Sequence, residues 1–192
     1  MYEHKEIDEE FKGLEYLDDI LSKKILDKRI IFLHGEVSED LAHKTTKELL
    51  YLSSISTNPI KIILNSVGGE VYHGLLIFDT IESLVKEGIE VTVEARGLAA
   101  SMGALLLQAG SKRTATKHTR ILIHEVSSVC YGKTSEIQDE SVEIKKLNDL
   151  LRDIIADRTH KTKEEIDDKC KRKDVWFSAE EALEWGLIDS IV

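Results

Sequence analysis

The sequence predicts an α/β fold with largely parallel strand pairing. Short apolar or β-branched runs alternate with longer helical patterns along most of the 192 residues. The run Ile60-Lys61-Ile62-Ile63-Leu64-Asn65 is apolar enough for a strand covered on both faces, as parallel strands are. A single proline, Pro59, leaves the periodic segments free to be helical. No repeat, low-complexity tract or linker divides residues 29–192, which read as one domain. Residues 1–28 read as a charged N-terminal arm, a pore or docking element.

In the arm, Phe11, Leu14, Leu17, Ile20 and Leu21 fall at helical spacing. Arg29-Ile30-Ile31-Phe32-Leu33 is the first strand. Ser38 is an N-cap, with Glu39 and Asp40 in the first helical turn, and the helix it opens ends by Thr57-Asn58-Pro59. After the strand 60–65, Ser66-Val67-Gly68-Gly69-Glu70 reads as a tight connection to a helix beginning near Val71 and stopping at Gly88. Ile89–Ala95 is the next strand. Gly97-Leu98-Ala99-Ala100-Ser101-Met102-Gly103 is a sharp turn into a short buried helix, Ala104–Gly110. Arg113–Thr116 and Arg120–His124 are two short strands, and Ser127–Gly132 is a loop or an irregular strand. From Thr134 to Thr159, Ile137, Ile144, Leu147, Leu151 and Ile154 follow a seven-residue rhythm among charges. Thr162 and Ser178 each open a short helix with a capping-box spacing. Asp174-Val175-Trp176-Phe177 reads as a brief extended segment, and Leu187–Val192 is extended again after Gly186.

Composition excludes several function classes. The net charge of −10 argues against a nucleic-acid surface. No apolar run approaches the roughly 18 residues of a membrane span. Cys130 and Cys170 form neither a disulfide framework nor a metal-ligand spacing, as suits reduced thiols in a cytoplasmic protein. No cofactor is expected. Neither a G-x-G-x-x-G loop nor a Walker lysine supplies a nucleotide site, and no His-x-x-x-His pair supplies a metal site.

Ser101 is the candidate nucleophile. A serine among small residues, where a strand turns into a helix, exposes its hydroxyl beside the positive helix end. A serine needs a base, usually histidine. Among seven histidines, His124 stands out because an apolar strand leads straight into it. A carboxylate must then orient the imidazole. Spacing cannot choose among 36 acidic residues, although Asp174 begins an apolar run where burial beside a histidine is conceivable. The Gly68-Gly69 pair offers free backbone N–H groups, or is simply a tight connection.

These segments resemble the ClpP family, the proteolytic subunits of Clp proteases. The resemblance covers residues 25–192. It is carried by Arg29–Leu33, Asn65-Ser66-Val67-Gly68-Gly69, Gly97–Gly103, Ile123-His124, Phe177–Ala182 and Gly186–Asp189, in the family's order. It implies repeated ββα units, as also found in crotonases, with a protruding helical handle near 134–159. It implies a serine peptidase in which Ser101, His124 and Asp174 form the triad. The backbone N–H groups of Gly69 and Met102 would form the oxyanion hole. It further implies a homo-oligomeric ring of seven, one or two rings deep, that receives unfolded polypeptides from an AAA+ unfoldase. Two other readings remain: a non-catalytic ring subunit of the same family, and a crotonase-like acyl-CoA enzyme.

The chain departs from the family pattern at several points. Val67 stands where the family has proline, and His124-Glu125-Val126 stands for His-Gln-Pro. Arg172-Lys173 lacks the acidic residue usual before the aspartate. The segment from Ser101 to His124 is slightly short, and the arm does not match the family's pore loop.

Overall fold

The computed structural model describes residue 17 and residues 19–192. The arm positions Phe11 and Leu14 lie outside the described residues. A helix over residues 19–26, α1, leads into the sheet, with Leu17 and Leu21 exposed.

Five strands form the main sheet in the order β1-β2-β3-β4-β7, all parallel: β1 (Ile30–Val37), β2 (Ile60–Gly69), β3 (Val91–Ala100), β4 (Lys112–Ala115) and β7 (Ser190–Ile191). The parallel links are made by α2 (Glu39–Ile55) and α3 (Val71–Lys86), which pack on each other. The short helix α4 (Met102–Ala109) has all eight residues buried and lies against β2 and β3, flanked by α3. Such enclosure explains its largely apolar sequence, in which Gln108 is the polar exception. Two further strands leave the main path. β5 (Arg120–Ile123) pairs parallel to the far end of β3, and β6 (Val175–Phe177) pairs antiparallel to β5. The expected long helix is α5 (Thr134–Thr159), with only Ile155 and Thr159 fully buried. It reaches α4 and packs on α6 (Lys163–Cys170). The last helix, α7 (Ala179–Trp185), ends at Gly186, whose φ of 87° makes the left-handed cap. Both capping boxes form, at Thr162 and at Ser178.

Two expected boundaries move, and both matter for the site. The Ser66–Gly69 segment is the end of β2 rather than a connection, because Gly68 and Gly69 pair with Glu36 and Val37 of β1 across a bulge. Likewise β3 runs through Gly97 to Ala100, held at Leu98–Ala100 by β5. The turn contracts to Ser101 alone, and α4 starts at Met102. Along β3 the neighbour changes from β4 at Thr92–Ala95 to β5 at Leu98–Ala100, so the sheet forks at Arg96-Gly97.

Two arginines fasten this frame. Arg29, at φ 60°, caps the C-terminal end of α2. Its guanidinium donates to the carbonyls of Leu52 (2.9 Å), Ser56 (3.1 Å), Asn58 (2.7 Å) and Pro59 (3.1 Å). Arg29→Ala strands these acceptors. It is expected to cost about 2–4 kcal/mol, read as a lower denaturant midpoint, and Arg29→Lys should recover little of it.

Arg113 is buried and binds Asp189 through its side chain and its own N–H (2.7 Å). It also donates to Gln108 Oε1 (2.7 Å) and to the carbonyls of Gly186 (2.9 Å) and Arg158 (3.1 Å). One side chain thus joins β4, α4, the end of α5 and the α7 cap. Burial pushes the Asp189 carboxyl up, but its Arg113 hydrogen bonds and charge outweigh this and hold it below the usual range. A depressed folded-state value means the unfolded chain takes up the proton first as pH falls. The stabilisation is therefore complete above about pH 4 and lost as pH drops below it. Acidification from about pH 5 to 3 should lower the urea midpoint more in the wild type than in Asp189→Asn.

Candidate active site

Ser101 joins two elements with its backbone and leaves its side chain free. Its N–H donates to the Leu122 carbonyl of β5 at 2.9 Å. Its own carbonyl accepts from the N–H groups of Ala104 (3.0 Å) and Leu105 (3.2 Å), which starts α4. Satisfying both sides holds the residue at φ 54°, ψ −121°, outside the ordinary regions for a side-chain-bearing residue. The Met102 N–H, first in the helix, has no partner among the described residues. The Met102 side chain is buried against α3, where a Cβ on Gly74 would fall 2.3 Å from its Cγ.

The end of β2 lies against this turn. A Cβ on Gly68 would sit 2.6 Å from Ser101 Cβ, 2.7 Å from the Ala100 oxygen and 3.0 Å from the Met102 nitrogen. Only a glycine permits that approach, and its φ of 90° also favours glycine. Ser66, fully buried, holds the strand in place. Its hydroxyl donates to the Gly35 carbonyl (2.6 Å) and accepts the Gly68 N–H (3.1 Å). Gly69 follows on the wall of the cleft that contains Ser101. The Glu70 N–H reaches the Val37 carbonyl at 2.8 Å, the parallel pattern that leaves the paired Gly69 N–H off the β1 ladder. Local sequence reading singled out the Gly68-Gly69 pair, the family resemblance chose Gly69 from it, and the supporting roles of Ser66 and Gly68 were missed. The signal was there: a serine and, after one residue, two adjacent glycines at the end of an apolar run, both glycines at positive φ in the fold.

His124 extends from the end of β5 and lines the same cleft as Ser101 and Gly69. Around them Ala104, Leu105, Ile123, Leu151 and Ile155 form an apolar wall, and Glu125 and Ser127 add polar groups to the lining. Asp174 is placed differently from the sequence expectation. It is exposed rather than buried and does not line the cleft. The β5–β6 register pairs Ile123 with Val175, so its next step sets His124 opposite Asp174. Among the described residues no hydrogen bond joins Ser101, His124 and Asp174. The structure therefore brings serine, histidine and both proposed oxyanion donors to one place, and sets the aspartate across a strand pair from the histidine.

Cys170 also borders a cleft with His124, which raises a cysteine nucleophile as a rival. It is buried, and burial pushes its thiol up, so it stays protonated at neutral pH. Serine is the nucleophile the geometry favours. Among the described residues no group of three or more His, Cys, Asp or Glu side chains is placed to hold a metal ion. No described helix is long and apolar enough to cross a membrane.

A strand-to-helix serine, a glycine strand end beside it and a histidine in the same cleft form a hydrolase-like constellation on a parallel sheet. The sequence model of the Clp protease family matches residues 13–192. The chain belongs to the Clp protease family. That family is one of serine endopeptidases, the enzyme class expected from the sequence. The chain is 41% identical over 169 residues to ATP-dependent Clp protease proteolytic subunit 3 of Synechococcus sp. (strain CC9902), covering 86% of this chain and 82% of the relative. It is 41% identical over 177 residues to proteolytic subunit 2 of Chlamydia trachomatis serovar D (91% and 85%). It is 39% identical over 177 residues to the subunit of Bacteroides thetaiotaomicron (91% and 78%). The mixed α/β architecture, with its forked sheet and long projecting α5, agrees with Clp-family membership.

Proposed function

We propose that this Clp-family chain hydrolyses peptide bonds of unfolded polypeptides inside an oligomeric barrel, through an acyl-enzyme on Ser101. The observation that carries the reading is Ser101 at a left-handed turn, in one cleft with Gly69 and His124. Ser101 Oγ attacks the scissile carbonyl as His124 takes its proton. The developing oxyanion is met by the Gly69 and Met102 N–H groups, a donor being worth ~3–4 kcal/mol of barrier. His124 then protonates the leaving amine, the C–N bond breaks, and water releases the acyl group by the reverse proton path. Asp174 fixes the imidazole tautomer and steadies its cationic form once the turn that bears it closes on His124. The apolar wall of Ala104, Leu105, Leu151 and Ile155 suits an apolar side chain of the substrate. The barrel is a homo-oligomeric ring of seven, single or stacked, fed by an AAA+ unfoldase. Support for this comes from the family resemblance and from relatives named ATP-dependent.

A fluorophosphonate serine-hydrolase probe tests the chemistry. Wild type is expected to label covalently, Ser101→Ala not at all, and His124→Ala about 10²–10⁴-fold more slowly. Labelling that survives Ser101→Ala would remove the nucleophile assignment. An assembled ring that does not label would support a non-catalytic ring subunit instead. Native mass measurement tests the assembly, and a stable monomer of 21.7 kDa at micromolar concentration overturns the barrel.

A further inference from the structure

The segment that follows His124 carries no regular structure through Lys133. Something else must hold the base, because β5 ends one residue before it. Two side chains of α5 do so. Asn148 Oδ1 accepts the Val126 N–H at 3.1 Å. Arg152, one turn further along the helix, reaches the Glu125 carboxylate at 3.6 Å. The bonds thus fall on the two residues directly after His124.

Arg152 does more than hold Glu125. Its Nε lies 2.7 Å from Asp167 Oδ1 on α6, an ion pair off hydrogen-bond alignment. Its Nη1 donates to Asp149 at 3.3 Å on its own helix. The guanidinium is mostly buried, with 19% of its side-chain surface exposed, whereas its three carboxylates are 37–57% exposed. Among the described residues it is the cation paired with all three. α6 ends at Cys170, and the turn 171–173 leads directly to Asp174. Arg152 is therefore attached on one side to the residue after His124 and on the other to the helix that delivers Asp174.

We propose that Arg152 is a positioning residue that sets the His124 arm and the Asp174 arm relative to each other. This inference rests on the triad reading above. Charge explains why the clasp holds. With Arg152 present, one cation sits among three carboxylates and draws β5, α5 and α6 together. Without it, Glu125, Asp149 and Asp167 repel one another, and the two arms separate rather than relax. A misplacement of about 1 Å in a base costs up to about 10²-fold in rate.

The test measures three quantities on the full-length assembled chain: the rate of fluorophosphonate labelling, the kcat and KM for a short peptide, and the native mass. Arg152→Met is expected to slow labelling and lower kcat by about 10- to 100-fold, with KM and the native mass unchanged. Arg152→Lys should recover most of the rate, since a cation at this place is what the carboxylates need. Glu125→Ala, a milder change at a partly exposed site, should slow labelling several-fold. The double variant Glu125→Ala/Arg152→Met should label no more slowly than Arg152→Met alone, because the two act through one link. Wild-type labelling rates in Arg152→Met overturn the proposal, as do additive effects in the double variant. If Arg152→Met fails to assemble, an unchanged rate in Glu125→Ala overturns it by itself. A wild type that does not label removes the triad reading, a failure distinguishable from that of Arg152.

Discussion

Asp174→Asn is expected to slow peptide hydrolysis by about 10⁴-fold while leaving thermal stability almost unchanged. The two halves of this expectation have separate causes. The carboxylate is exposed and takes part in no described hydrogen bond, so the folded chain loses no interaction when it becomes an amide. In the proposed mechanism catalysis depends on it differently. Asparagine matches aspartate in size but can donate from its NH₂, which favours the imidazole tautomer with its proton on the wrong nitrogen. It also leaves the imidazolium that forms during attack without a counter-charge. The measurement is kcat for a short peptide on the assembled chain, beside the thermal midpoint. Retention of more than about a tenth of the wild-type kcat would take the orienting role away from Asp174. A large stability loss would show that it is already engaged in the isolated chain.

Gly68→Ala carries the second large effect, and here stability and activity should fall together. The new methyl group would lie 2.6 Å from Ser101 Cβ and 2.7 Å from the Ala100 carbonyl oxygen. The oxygen is backbone, and Ser101 is fixed by its bond to Leu122, so the strand end must move instead. A side chain at φ 90° adds strain of about 1–3 kcal/mol. Together these should lower the thermal midpoint by about 5–10 °C. Displacing the Gly69 donor and Ser101 relative to each other should slow probe labelling at least about 10²-fold. Gly88→Ala is the matched control. Its φ is 89°, yet nothing lies within 4 Å of its would-be Cβ. It should lose some stability and keep its labelling rate, which separates backbone strain from contact with the nucleophile.

Where one chain segment decides its own conformation, the sequence was readable. The apolar run at Ile60–Leu64, the caps at Ser38, Thr162 and Ser178, and the rhythm of Thr134–Thr159 all formed as the pattern indicates. Where a neighbouring strand decides, it was not. Gly68-Gly69 looks like a turn by composition, but β1 pairs with it and keeps it extended. Gly97–Ala100 looks like part of the elbow, but β5 captures it as strand. Ser101 and His124 were legible because each sits at the end of an element that the pattern marks. Asp174 needed the family resemblance, since its place opposite His124 arises from antiparallel β5–β6 pairing that neither segment announces. Arg152 was hidden more deeply. It lies 28 residues along the chain from His124, as one charge among many on a helix whose surface is mostly charged. Only the fold shows which of those charges faces inward.

The fork in the sheet divides the proposed catalytic machinery between two structural units. Ser101, Gly69 and Met102 belong to the tightly enclosed layer of β1, β2, β3 and α4. His124 and Asp174 flank β5 and β6, which meet that layer along Leu98–Ala100, at the Ser101 N–H bond to Leu122 and through a light contact with α4, and which rest on α7. Two such units open with different free energies. On warming, the outer unit should exchange its amide hydrogens while the inner one is still protected. Peptidase activity should then vanish several degrees before the fold melts, and return on cooling. The proposed nucleophile stays intact in the unit that opens last, so the enzyme can be switched off by local opening without being denatured.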